Sequence, residues 1–203
     1  MSSVINRELV AAVRPSLMMT GLFAGLLGLA YPAAITAVAQ AAFPWAANGS
    51  LITDHGQVIG SDLIGQAFTS ARYFHGRPSA AGSNGYDASA SAGSNLAPFS
   101  QTLHDRVAGA VKDYAASSPG SPVPPDLVTT SASGLDPHIS PEAAFSQVSR
   151  VAAARGLPVE KVRRLVEGHV EQPLLGLVGE ERVNVLALNR ALDETTAARA
   201  QGH

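Results

Sequence analysis

The sequence predicts an α+β protein: one N-terminal transmembrane helix followed by a single outer, periplasmic, mixed α/β domain. Three observations carry this. No charged residue occurs between Arg14 and Asp54, and the run Ser16–Ala42 is apolar almost throughout. Short alternating stretches around residues 50–59 and 182–188 have the period of strands. Three stretches after Ser100, Ser140 and Pro158 repeat their apolar residues at helical spacing.

The uncharged run is long enough to cross a bilayer, because a helix rises about 1.5 Å per residue and a hydrocarbon core is about 30 Å thick. Its boundaries are read as a cytoplasmic N-terminus over 1–14, a membrane helix over 15–43 and an extracytoplasmic domain over 44–203. A cleaved secretory signal is the competing reading, with Ala37-Val38-Ala39 or Ala39-Gln40-Ala41 as its small-residue site. The apolar run is much longer than the roughly 7–15 residues of a signal's apolar core, which favours an anchor. Arg7 and Arg14 precede the span, and after it no Lys or Arg occurs until Arg72. That asymmetry holds the N-terminus in the cytoplasm and puts the domain outside. Phe43-Pro44-Trp45 suits the headgroup layer. Gly21 and Gly25 form a small-xxx-small pair on which a partner helix can pack closely. Pro32 removes one helical hydrogen bond and is expected to kink the outer third. With no Asp, Glu, Lys, Arg or His in the span, it offers no proton relay or ion site of its own.

The outer part has single-domain size. Cysteine is absent, which excludes disulfides and thiolate chemistry. Setting aside Arg7, Arg14 and Glu8 leaves 12 basic and 15 acidic side chains of the chain's 14 and 16, a balance without a nucleic-acid footprint. Ser50–Thr53 and Gln57–Ile59 are expected to pair across a turn at Asp54-His55-Gly56. From Tyr73 to Pro98 the chain is rich in Gly, Ser, Ala and Asn and is expected to be an excursion that makes no core by itself. A helix then carries Leu103, Val107, Ala110, Val111 and Tyr114 on one face and stops before Ser117-Ser118-Pro119-Gly120. Ser140-Pro141-Glu142 is a helix start, with Ala144, Val148, Val151 and Ala152 inward and Gly156 as terminator. Pro158 opens a shorter helix with Val162, Leu165 and Val166 inward, ended by Gly168. Arg182–Leu188 reads as a strand, and a last helix begins near Asn189.

Motifs for catalysis are missing: no GxxxxGK[ST] loop, no GxSxG elbow, no HExxH pair and no Asp-Lys-Thr-Gly phosphorylation sequence. His138 and His169 stand near Asp136, Glu142, Glu167 and Glu171, side chains that a metal would require, yet both histidines sit more simply in a loop and at a helix end. Ser131 and Ser133 would be nucleophiles only beside a folded base.

The string Pro122-Val123-Pro124-Pro125-Asp126-Leu127-Val128-Thr129-Thr130-Ser131-Ala132-Ser133-Gly134-Leu135-Asp136-Pro137-His138-Ile139-Ser140-Pro141-Glu142 resembles the C subunit of the bacterial Kdp-type potassium-transporting P-type ATPase. The likeness extends to Gly60–Gln66, Tyr73-Phe74 with Arg77–Ala80, Ser94–Leu96, Gln147–Ala152, Ala154–Leu157 and Arg182–Asn189, nearly the whole chain. It implies a non-catalytic accessory subunit of a high-affinity potassium uptake pump in the cell inner membrane. Its partners would be a channel-like potassium-binding subunit, the P-type ATPase catalytic subunit and a small single-span subunit. The complex, not this chain alone, would handle ATP and K+. The family is described as a catalytic chaperone that raises the ATP affinity of the hydrolysing subunit, which makes Ser133, Gly134 and Asp136 weak nucleotide candidates. An outside domain conflicts with that contact, since ATP is cytoplasmic, and favours docking at the outer mouth of the channel subunit. Tyr73, Phe74, Arg77 and Tyr86, together with Gly21 and Gly25 in the span, are the expected partner contacts. A membrane-anchored periplasmic enzyme and a secreted binding protein are the competing functions.

Overall fold

The computed structural model describes residues 2–54, 56–118, 120–173, 176 and 179–201. It divides into two compact units, Met1–Ser50 and Leu51–His203.

The first unit is helical. Helix α1 (Ser2–Gly25) passes through Pro15, a π turn spans Leu26–Ala30, and α2 (Tyr31–Ala42) and the short α3 (Pro44–Ala47) follow. Helical backbone thus extends back through residues 2–14, ahead of the expected span. Val10–Ala42 is long and apolar enough to cross a membrane, with a mean hydropathy of 1.8 and no buried residue. Leu17, Leu22 and Leu29 are 68%, 61% and 73% exposed, an apolar surface that is at home only in lipid or against other apolar helices. The π turn lies just before Pro32. Tyr31 donates its N–H to the carbonyl of Leu26, five residues back. Proline brings no N–H and crowds the carbonyl four residues earlier, so a wider turn here accommodates a residue that an α-helix rejects.

The second unit opens with a hairpin of β1 (Leu51–Asp54) and β2 (Gln57–Ser61), as the alternation predicts. Its turn includes His55, which lies outside the described residues. Ile52 faces Gly60 and Thr53 faces Val58, so Ile59 is an extra, bulged residue. Gln66 caps the bulge by donating its side-chain amide to the Ile59 carbonyl at 2.8 Å.

Between residues 62 and 100 regular structure shrinks to one 3-10 turn, Ala88–Ala90. Helix α4 (Gln101–Ser117) presents Leu103, Val107, Ala110, Val111 and Tyr114 on its half-buried face, but buries none of them completely. After a 3-10 turn at Pro125–Leu127 come β3 (His138–Ile139), α5 (Pro141–Arg155), α6 (Val159–Glu167), β4 (Val170–Glu171), β5 (Arg182–Asn184) and α7 (Val185–Gln201). The three strands form an antiparallel sheet in the order β3-β5-β4, with Ile139 and Val170 both opposite Val183. Ser140 caps α5 by accepting from Ala143 N, and Gly156 closes it in the left-handed conformation at φ 63°.

One expectation is corrected. The strand predicted over Arg182–Leu188 ends at Asn184, and residues from Val185 onward are helical. Asn184 decides this: its side-chain oxygen accepts from Ala187 N at 3.0 Å, a helix cap, while Val185 N donates to the Pro137 carbonyl at 3.0 Å. Val185, Leu188 and Leu192 then fall on one buried helical face, a period hidden inside an apparent alternation.

The core lies between α5, α6, α7 and the sheet, with Val148, Val151, Val162, Val166, Val183, Leu188 and Leu192 fully or almost fully buried. The Gly/Ser-rich excursion adds Phe74 to this core, and Ala81 is also completely buried. Two amides hold this segment in place. Asn189 accepts from Phe74 N at 2.8 Å and donates to Phe74 O at 2.9 Å. Gln147 accepts from His75 N at 2.8 Å and donates to His75 O at 3.1 Å. Each amide does for an irregular segment what a neighbouring strand does for a sheet.

Replacing Asn189 with alanine strands both buried backbone groups of Phe74. Urea unfolding of the full chain in detergent should show a loss of about 2–4 kcal/mol; a change below about 0.5 kcal/mol, the size of an ordinary surface substitution, would refute this role.

Candidate functional site

The polar string singled out in the sequence, residues 131–138, folds against the excursion of residues 76–93. Three of its carbonyls are taken in turn. Ser133 O accepts from Ala92 N and from the Ser91 hydroxyl, both at 3.0 Å; Gly134 O accepts from the Ser79 hydroxyl at 2.6 Å; Leu135 O accepts from Gly65 N at 2.8 Å. Ser79 is the organiser on the other side, because its oxygen also accepts from Ala81 N at 3.1 Å and Tyr86 N at 2.7 Å. Glycine is required twice. Gly134 has φ +68°, and a β-carbon there would lie 2.8 Å from Ala81 N, while one on Gly65 would lie 2.6 Å from Asp136 O.

Asp136 is the electrostatic centre. Its carboxylate accepts from His138 N at 3.0 Å and lies 3.4 Å from Arg77 Nη1 and 3.5 Å from His138 Nδ1. The hydrogen bond with the His138 side chain is the largest of several effects that hold the Asp136 carboxyl below the usual carboxylate range; partial burial opposes them. The chain of charges continues along the sheet. His138 Nε2 is 3.9 Å from Glu171, and Arg182 Nε donates to Glu171 at 2.9 Å, the two residues facing each other across β4 and β5. Tyr86 donates its hydroxyl to the carbonyl of Arg77, and burial followed by the nearby Asp136 charge pushes its phenol up. Two open concavities of about 360 and 580 Å³ share Arg77 and Asp136 in their walls.

The expected site residues divide clearly. Ser133, Gly134, Asp136, Arg77 and Tyr86 come together in this one region. Phe74 is completely buried in the core, and Tyr73 is half-buried, its ring 4.7 Å beneath the Arg155 guanidinium and its hydroxyl 3.1 Å from Asp193. Gly21 and Gly25 face open space within the helical unit. His138 stands on β3 rather than in a loop, and joins Asp136 and Glu171; His169, at the end of α6, bonds to the Leu165 carbonyl at 2.8 Å, and Glu142 and Glu167 are exposed. Among the described residues no group of three or more His, Asp or Glu is arranged to hold a metal ion. Ser131 is buried, Ser133 accepts from Leu135 N at 3.1 Å, and among the described residues neither hydroxyl bonds to histidine.

Sequence reasoning passed over Ser79, Gln147, Arg150 and Asn189. A signal existed for two of them, since Gln147 and Asn189 are amides lying within the apolar stripes of α5 and α7.

Residues 13–194 match a protein family described as KdpC: K+-transporting ATPase, c chain. The chain belongs to the KdpC family. Among its KdpC relatives, the potassium-transporting ATPase KdpC subunit of Nitratidesulfovibrio vulgaris (strain DSM 19637 / Miyazaki F) is 58% identical over 96% of this chain and all of its own length. That of Caulobacter vibrioides (strain NA1000 / CB15N) is 59% identical over 91% of this chain and 94% of its own, and that of Allorhizobium ampelinum (strain ATCC BAA-846 / DSM 112012 / S4) is 54% identical over 94% and 100%. In this member of the KdpC family, the segment of residues 131–138 and its bed of residues 76–93 form a single packed polar unit.

Because the Asp136 pKa is lowered on folding, its contribution is present above the ordinary carboxylate value of about 4 and is lost as pH falls through the folded value. Asp136→Asn should cost about 1 kcal/mol at about pH 7, a partly exposed pair being discounted for solvent, and the gap to the parent should narrow in urea unfolding as pH falls below the ordinary carboxylate range. A gap that stays constant with pH would show that the charge is immaterial.

Proposed function

We propose that this chain is a non-catalytic accessory subunit of an ATP-driven potassium uptake pump, required for assembly of the complex. The observation that carries the reading is family membership over nearly the whole chain, including relatives of which every residue is covered. Its partners on this reading are the channel-like potassium-binding subunit, the P-type catalytic subunit and the small single-span subunit, in the inner membrane. ATP and K+ are handled by the complex.

The arginine asymmetry about the span supports a cytoplasmic N-terminus and a periplasmic domain. From that side the domain docks at the outer mouth of the channel-like subunit, and the effect described for the family, a raised ATP affinity of the catalytic subunit, reaches the cytoplasm through the assembly rather than by contact. The packing of this segment favours this: the carbonyls of residues 133–135 and the Asp136 carboxylate are already engaged inside the domain. Docking in the membrane uses the Gly21–Gly25 face. Outside it draws on half-buried Tyr73, Arg77 and Tyr86 and on exposed apolar residues such as Val58, Leu63 and Phe99, the last fully exposed. Phe74, spent on the core, supports that surface from beneath.

Purified in mild detergent, the chain should bring larger membrane subunits with it, and Gly21→Leu combined with Gly25→Leu should lower their recovery several-fold; recovery of the parent chain alone would sink the proposal. Protease added to sealed, right-side-out vesicles should digest residues 44–203. An intact domain would reverse the orientation and revive direct nucleotide contact.

A further inference from the structure

A third cavity, of about 390 Å³, lies away from Asp136, beneath α4. Ala110 and Tyr114 of α4, Arg150 of α5, His75 and Pro78 of the excursion and Leu127 of the 3-10 turn contribute to its wall. Its size falls within the range of small-molecule sites. Helix α4 buries no residue completely, so it roofs this space rather than filling it.

Arg150 supplies the chemistry. Its Nη1 donates to the carbonyls of Ala71 at 2.8 Å and Tyr73 at 3.1 Å, and its Nη2 donates to Gln147 Oε1 at 2.6 Å, so every acceptor it has is neutral. Among the described residues no carboxylate lies within 4.0 Å of it; Asp113, which also lines the cavity, is exposed on α4 and makes no ion pair with it. Burial pushes the guanidinium below its ordinary value, with the Tyr114 phenol opposing. A partly buried cation without a counter-ion is costly. Beside it, the Tyr114 hydroxyl is buried with no hydrogen-bond partner. Buried hydroxyls without partners are rare, and this one is a donor. Burial first and the Arg150 charge second push the His75 imidazole below its ordinary value, and its Nε2 donates to the Ser70 carbonyl at 3.0 Å.

We propose that this cavity binds a small organic carboxylate, its head accepting from Tyr114 in the field of Arg150 and its apolar body lying on Pro78, Ala110 and Leu127. The cavity is too large for a bare oxyanion to fill, and its apolar wall gives the rest of the ligand a surface to cover. Such a site goes beyond the pump reading and does not depend on it.

Calorimetric titration of the full chain in detergent tests the site with benzoate as probe and benzyl alcohol as its uncharged counterpart. Benzoate should bind saturably, at one per chain, and benzyl alcohol should not. Tyr114→Phe removes one hydroxyl and should weaken benzoate binding about tenfold. Ala110→Phe fills the cavity and should abolish it, with circular dichroism confirming that both variants remain folded. Absence of saturable heat, equal binding of the two probes, or parent-like benzoate binding by both variants would overturn the proposal.

Discussion

The second unit depends on two side-chain amides acting as backbone partners. Phe74 and His75 lie in a segment with no strand beside it, yet Phe74 is completely buried. Burial of a peptide group without partners costs several kcal/mol, more than most single contacts return. Asn189 from α7 and Gln147 from α5 satisfy both residues, and the rest of the excursion leaves from this fixed point. Arg150 and Arg155 extend the same device, with Arg150 donating to the carbonyls of Ala71 and Tyr73 and Arg155 to that of Arg72. Arg155 is itself paired with Asp193 at 2.7 Å.

From that anchor the chain reaches Arg77 and Ser79, which bond to Thr130, Gly134 and Asp136, and Tyr86, which bonds to both of them. A Gly- and Ser-rich segment is thus made rigid by hydrogen bonds rather than by apolar area. The result is a polar surface on which the Asp136 carboxylate and the Arg77 guanidinium are paired with each other. The proposed carboxylate site differs in kind: among the described residues the Arg150 charge meets only neutral acceptors there, and the Tyr114 hydroxyl has no hydrogen-bond partner.

Much was legible in the sequence because the signals were local. The hairpin, the stripe of α4, the Ser140 cap and the Gly156 terminator each depend on residues within a few positions of one another. The strand wrongly extended past Asn184 failed for a related reason: Val185–Leu188 alternates and is apolar, and period alone does not separate a buried strand from a buried helix start. The cap at Asn184 and the bond from Val185 to Pro137 decide it, and the second of these is a tertiary contact. The two-residue strands β3 and β4 gave no periodic signal at all, being too short to repeat.

The sequence by itself determined what composition and short range control: one helix long and apolar enough for a bilayer, the flanking charges, the two ends of α5 at Ser140 and Gly156, and the family. Only the tertiary structure decided which polar residues matter. Asn189 and Phe74 are 115 residues apart, and Gln147 and His75 are 72 apart. No spacing rule links such positions, because their partnership arises when α5 and α7 pack together and leave one gap for a segment of backbone. The fold likewise puts Tyr114 of α4 and Arg150 of α5 on the wall of one cavity, a juxtaposition that no stretch of the chain could announce.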